Sequence, residues 1–213
     1  MSSREAVLGR IRSALASDAT TPHHPIPREY IRVGDNPPGS EPVLELMVDR
    51  LVDYKAQVRE VSLADLGDAI DAALAGQASV VIAPDLDAAL VEATERSGRV
   101  VTIDGDPAVL TPAELDSIDA VVSTARVAIA LSGTIILDGG PGQGRRAITL
   151  VPDFHLVVLD ADQVVQTVPE AIARLDPVRP LTMIAGPSAT SDIELERVEG
   201  VHGPRTLYVL IVR

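Results

Sequence analysis

The sequence predicts an α/β fold: a Rossmann-like, mostly parallel sheet with helices on both faces and an inserted set of mixed or antiparallel strands. Three observations predict it. Short apolar runs alternate with amphipathic helical stretches from residue 43 to residue 124, the rhythm of consecutive βαβ units. No helical period fits between residues 125 and 165, where "VAIALSG", "TIILD", "AITLVP" and "HLVVLD" read as short strands joined by tight turns. A helix and two strands then close the chain. The 213 residues suffice for one such domain with a core of its own.

Taken in order, residues 3–16 place Val7, Leu8, Ile11, Ala14 and Leu15 on one helical face. Residues 17–42 hold Pro22, Pro25, Pro27, Pro37, Pro38 and Pro42, with His23 and His24 among them. Each proline blocks helix and ladder bonding alike. The expected organisation is an N-terminal helix on a proline-rich arm over residues 1–40, and a single domain over 41–213. The first helix either packs on its own domain or reaches a neighbouring copy, which would make a homo-oligomer.

"EPVLELMVDRLVDYKA" carries Val43, Met47, Leu51 and Tyr54 on one stripe, and "QVREV" is a short strand. "SLADLGDAIDAALAG" is a helix with Ser62 as its cap and Gly76 near its end. "SVVIA" is apolar on both faces, as central parallel strands are. A helix over "DLDAALVEATERSG" and the strand "RVVTI" follow. Thr111 and Pro112 open a short helix in "TPAELDSI", and "DAVVSTA" is the next strand. Beyond the excursion come the helix "VPEAIARLD" and the strands "LTMIAG" and "RTLYVLIV".

Composition narrows the function. The formal net charge is −13, and residues 41–120 hold 5 Lys+Arg against 17 Asp+Glu. Such a surface repels nucleic acid and anionic membranes. With no Trp and one Phe, no platform exists for stacking unpaired bases. There is no cysteine. Disulfides, thiolate nucleophiles and iron–sulfur clusters held by this chain alone are therefore excluded. The four histidines lack the spacing of a helical zinc site, and no G-x-S-x-G nucleophile turn occurs. No cofactor or metal is expected. "MSSREAVLGRIRSALA" has no apolar signal-peptide core, and no run reaches a membrane span. The expected location is the cytoplasm.

Two stretches could carry a site. "GGPGQGRRA", residues 139–147, spaces Gly139 and Gly144 as in a Walker loop, but Arg145 and Arg146 stand where Lys and Ser/Thr are needed. The alternating Gly140, Gly142 and Gly144 also fail the dinucleotide fingerprint. What remains is a loop whose backbone N–H groups can cradle an anion, with Arg145 as a bidentate grip, or a hairpin that only turns the chain. Arg146 is expected to point to solvent. In "IAGPSATSDIELERVEGVHGP" a strand ends at Gly186 and Ser188. Asp192 and Glu194 follow, either as a pocket cluster or as part of a helix cap at Ser191. His202 stands between Gly200 and Gly203. The glycine loop is expected to face one cleft with Gly186, Ser188 and His202.

"SGTIIL…GPGQGRRAITLVPDFHLVVL", "VPEAIARL", "LTMIAGPSATSDIE" and "GVHGPRTLYVLIV" together resemble the LUD-domain family. "REAVLGRIRSAL", "PREY" and "LVDYKAQVREV" extend the likeness over nearly the whole chain. The family is similar in fold to the sugar-phosphate isomerase and CoA-transferase superfamily. The resemblance implies a part in the oxidation of L-lactate to pyruvate beside iron–sulfur lactate-utilisation proteins. One departure stands out. Family members commonly read A-E-T-G-T where this chain has Ala130-Leu131-Ser132-Gly133-Thr134, and Arg126 also stands where an acid is usual. A leucine cannot act as the acyl-accepting nucleophile of the CoA-transferase relatives. Ser132, Thr134, Gly142, Gln143, Gly144 and Arg145 remain as a possible binding loop.

Two functions follow. The first is an accessory, non-redox component of a lactate-oxidising system. The second is an enzyme or sensor that holds a carboxylate, phosphate or CoA-type ligand over the glycine loop.

Overall fold

The computed structural model describes residues 2–18, 26–187, 189–190, 198–199 and 203–213. The chain divides into two compact units, Met1–Tyr30 and Ile31–Arg213. The first contains helix α1 (Ser3–Asp18).

The second unit runs α2 (Glu41–Asp53), β1 (Gln57–Val61), α3 (Leu66–Ala73), β2 (Ser79–Ile82), α4 (Ala88–Glu95), β3 (Val100–Ile103), α5 (Pro112–Asp116) and β4 (Ala120–Thr124). It continues with β5 (Val127–Ile129), β6 (Thr134–Leu137), β7 (Phe154–Asp160), β8 (Val164–Val165), α6 (Val168–Ala173) and β9 (Thr182–Ile184). The last strands are β10 (Ala189–Thr190), β11 (Val198–Glu199) and β12 (Thr206–Val212). Local chemistry places the boundaries. Thr111 and Glu114 form a reciprocal capping box with Pro112 in the first turn of α5. Ser62 caps a 3-10 turn, Leu63–Asp65, that leads into α3.

Six strands make one parallel sheet in the order β1-β12-β7-β4-β2-β3. A second sheet has the order β8-β5-β6-β9, with β6 antiparallel to both neighbours. β10 and β11 pair with each other. On one face of the large sheet, Val80, Ile82, Val122 and Leu156 pack against Leu66 and Ile70 of α3 and Leu90 of α4. On the other, Val157, Leu159, Val209 and Ile211 meet Leu44, Met47 and Leu51 of α2 and Ile135 and Leu137 of β6. The inserted strands thus form an outer layer held by apolar burial.

Two expectations are corrected. "HLVVLD" does not belong to the excursion: β7 lies between β12 and β4, inside the parallel sheet. "AITLVP" is not a strand: Arg146–Thr149 form a 3-10 turn. Ile148, fully buried there against Val81, Ala83, Leu115 and Val121, overrides the β-propensity of its neighbours.

β2 and β4 are adjacent, yet β2 leads to α4 on one face and β4 to the second sheet on the other. Their carboxyl ends therefore flank a topological switch point, where open α/β sheets leave a crevice. The glycine loop is anchored there. Gly142 donates its N–H to Asp85 Oδ1 (3.0 Å), Thr124 N–H donates to Gly142 O (3.0 Å), and Thr124 Oγ1 donates to Pro141 O (2.7 Å). Before α2, Asn36 N–H donates to Gln166 Oε1 (2.9 Å) and Gly39 N–H to Val164 O (3.0 Å), tying this segment to the β8 edge.

Candidate functional site

Glycines let the 139–145 loop lie close against the strand ends. A Cβ on Gly142 (φ 72°) would fall 2.9 Å from Thr124 Oγ1. One on Gly144 (φ 65°) would fall 2.5 Å from Ile148 Cδ1. Both positions need a residue tolerant of positive φ with no side chain. The loop is also cross-tied from within. Gln143, 3% exposed, accepts the Asp138 N–H at Oε1 (2.7 Å), and Asp138 Oδ1 accepts the Gly140 N–H (3.0 Å).

The two arginines that end the loop play different parts. Arg145 is committed to the protein. Its Nε donates to Asp104 Oδ2 (2.5 Å), and its Nη2 to Asp104 Oδ1 (3.0 Å) and Leu110 O (2.5 Å). Burial alone would raise the Asp104 pKa. The Arg145 fork and the Leu110 N–H outweigh it and hold the carboxyl below its usual range. Arg146 makes no hydrogen bond or ion pair with a described residue through its guanidinium, and it lines a groove. Among the described residues of this loop, the unpaired cation is thus Arg146, whereas Arg145, expected as the grip, is held by Asp104.

The groove has two connected parts. A cavity of about 430 Å³ touches Gly139, Gln143, Gly144 and Arg145. One of about 320 Å³ touches His155, Gly186, Pro187, Gly203 and Pro204. Arg146, Thr149, Leu181 and Thr182 line both. Their described walls contain no Asp or Glu, although the chain has 31 such residues. The other described cavities each include at least two acids: Asp116, Asp119 and Asp153; Asp87, Asp138 and Asp160; Glu41 and Glu60. In an acidic protein, an arginine beside walls whose described residues include no acid favours an anion here over the other described cavities.

His155 forms part of the buried wall. It is 1% exposed on β7, and its Nε2 lies 2.7 Å from Oγ of Ser123, itself fully buried on β4. Burial pushes its pKa down to about 3, so the ring is neutral near pH 7.

Gly144, Gln143 and Arg145 therefore border one end of the groove and Gly186 the other. Gly142 faces the strand ends instead. Ser132 and Thr134 bond to each other (2.9 Å) at the start of β6, whereas the loop leaves its end. Neither lines a described cavity. Leu131 is 52% exposed and does not face the groove. Ser188, Asp192, Glu194 and His202 lie outside the described residues. Sequence reasoning missed Arg146, His155, Ser123, Thr149 and Thr182. A signal existed for two of them: a polar residue inside an apolar central strand, as in "FHLVVL" and "AVVSTA".

The model of the LUD domain matches residues 44–212. The chain belongs to the LUD-domain family. It is similar to lactate utilization protein C of Deinococcus radiodurans, with 44% identity over 195 residues, 90% of this chain and 85% of that one. Lactate utilization protein C of Bacillus pumilus is 37% identical over 92 residues, 39% of this chain and 38% of that one. The crystal structure of a DUF162-family protein from Deinococcus radiodurans superposes with a TM-score of 0.67 at 38% identity, covering 81% of this chain and 97% of that one. In this LUD domain the Gly186-Pro187 and Gly203-Pro204 pairs both meet the groove. Among the described residues, no group of three or more His, Asp or Glu could hold a metal, and no helix is long and apolar enough to cross a membrane.

Proposed function

We propose that this LUD-domain protein serves L-lactate utilisation as an accessory component with no redox centre of its own, beside iron–sulfur partner proteins. In this role it binds a small carboxylate of the process in the groove at Arg146. The process is supported by the likeness to lactate utilization protein C over 90% of the chain. The lack of thiolates leaves no cysteine to ligate a cluster, which fits a cluster carried by a partner. The site rests on one observation: an unpaired guanidinium on walls whose described residues include no acid, in a chain of net charge −13. A guanidinium grips a carboxylate through paired N–H donors.

A second reading is an enzyme or sensor acting on the bound anion. It is favoured by His155, a buried titratable group on the same wall. Two measurements separate the readings. The purified chain alone, given L-lactate and an artificial electron acceptor, shows no turnover if it is an accessory component; turnover contradicts that reading. Purification of the tagged full chain from its own host brings down iron–sulfur proteins. Recovery of the chain without them contradicts the partnership.

A further inference from the structure

The Ser123–His155 pair has a consequence for what the groove selects. Ser123 is the one described hydrogen-bond partner of the His155 side chain. Among the described residues, no buried side-chain nitrogen or oxygen lacks a partner. His155 Nδ1, which has none, is therefore not fully enclosed, and the described cavity that touches His155 is this groove. The ring is neutral, so one nitrogen carries a hydrogen and the other does not. The Ser123 hydroxyl has no other described acceptor. It satisfies its hydrogen only by donating to Nε2, since a buried hydroxyl without an acceptor is costly. Nε2 is then the bare nitrogen, and the hydrogen sits on Nδ1.

We infer that Ser123 is a positioning residue that fixes His155 as the Nδ1–H tautomer, so that the groove presents a neutral N–H donor on its buried wall and favours a 2-oxo carboxylate over its 2-hydroxy counterpart. The inference rests on the carboxylate reading of Arg146. Arg146 and His155 both donate, and no acid on the described walls accepts. An oxo acid offers acceptors only. A hydroxy acid brings an O–H that must find an acceptor among threonine hydroxyls or main-chain carbonyls. Sites that hydrogen-bond a ligand discriminate strongly when a polar group is left unmet.

The test uses the full-length protein labelled with ¹⁵N at histidine, and pyruvate and L-lactate as probes. In the ligand-free protein, the His155 Nδ1 resonance should have the shift of a protonated nitrogen and Nε2 that of a bare one. Ser123→Ala should reverse this pattern or mix it, and Ser123→Thr should restore it. By calorimetry the wild type should favour pyruvate over L-lactate by about tenfold, equivalent to one well-placed hydrogen bond. Ser123→Ala should narrow that ratio toward unity, while binding still depends on Arg146. A bare Nδ1 in the wild type would overturn the tautomer assignment and leave the carboxylate site standing. A protonated Nδ1 with no pyruvate binding overturns the carboxylate reading and the oxo-acid preference with it.

Discussion

Arg145 and Arg146 are neighbours in sequence and opposites in structure. Arg145→Ala strips Asp104, a buried carboxylate, of its fork. It should destabilise the fold by about 2 kcal/mol, in the range for charged hydrogen bonds. Arg146→Ala removes an exposed, unpaired side chain and should leave the urea midpoint unchanged. The contrast was not legible, because Asp104 lies 41 residues upstream and adjacent arginines look alike in a string. The glycines were legible as special, but their reason is contact with strand ends as well as turning. Gly144→Ala meets both positive φ and buried Ile148. It should cost about 2–4 kcal/mol in chemical denaturation. His155 gives a pH signature. Its pKa is about 3 folded against 6.5 for the free side chain, so the unfolded chain takes up a proton first as pH falls. The stability is complete above pH 6.5 and is lost below it, by about 2 kcal/mol between pH 7 and 5. Urea midpoints across that range should fall in the wild type and flatten in the Ser123→Ala/His155→Leu double variant. An equal fall in both would reject the assignment.

At the scale of elements, helix stripes, caps and apolar strands were readable because their signals are local. What escaped was which strand pairs with which. "HLVVLD" looked like part of the excursion since it follows the other short strands. Yet six of the seven residues of β7, the strand that contains it, are buried, the mark of a parallel strand covered on both faces. The Arg146–Thr149 turn escaped for a different reason: burial of Ile148 decides its shape. Ile148→Ala should cost about 2–5 kcal/mol. It should also weaken carboxylate binding through the altered perch of Arg146. A stable variant with wild-type affinity would show that the turn does not position the site.

For the whole molecule, the rhythm of βαβ units predicted a parallel sheet with an inserted layer, and the switch point puts the glycine loop between that layer and the strand ends. The sequence motifs around Gly186 and Gly203 converge on one groove because β9 and β12 belong to different sheets that pack on each other. The arm carries a separate expectation. Val7, Ile11 and Leu15 share one face of α1, an apolar stripe suited to a second copy. Removing residues 1–40 should lower the mass seen by light scattering. An unchanged mass would assign self-association, if any, to the body.

The central claim is that the groove at Arg146 binds a small carboxylate of lactate metabolism, and titration calorimetry with pyruvate and L-lactate on the full chain and on Arg146→Ala tests it most directly. The wild type should bind, and Arg146→Ala should lose about 1.5–3 kcal/mol of affinity, roughly ten- to a hundredfold, with its unfolding midpoint intact. No binding to the wild type, or equal binding to both proteins, would contradict the claim.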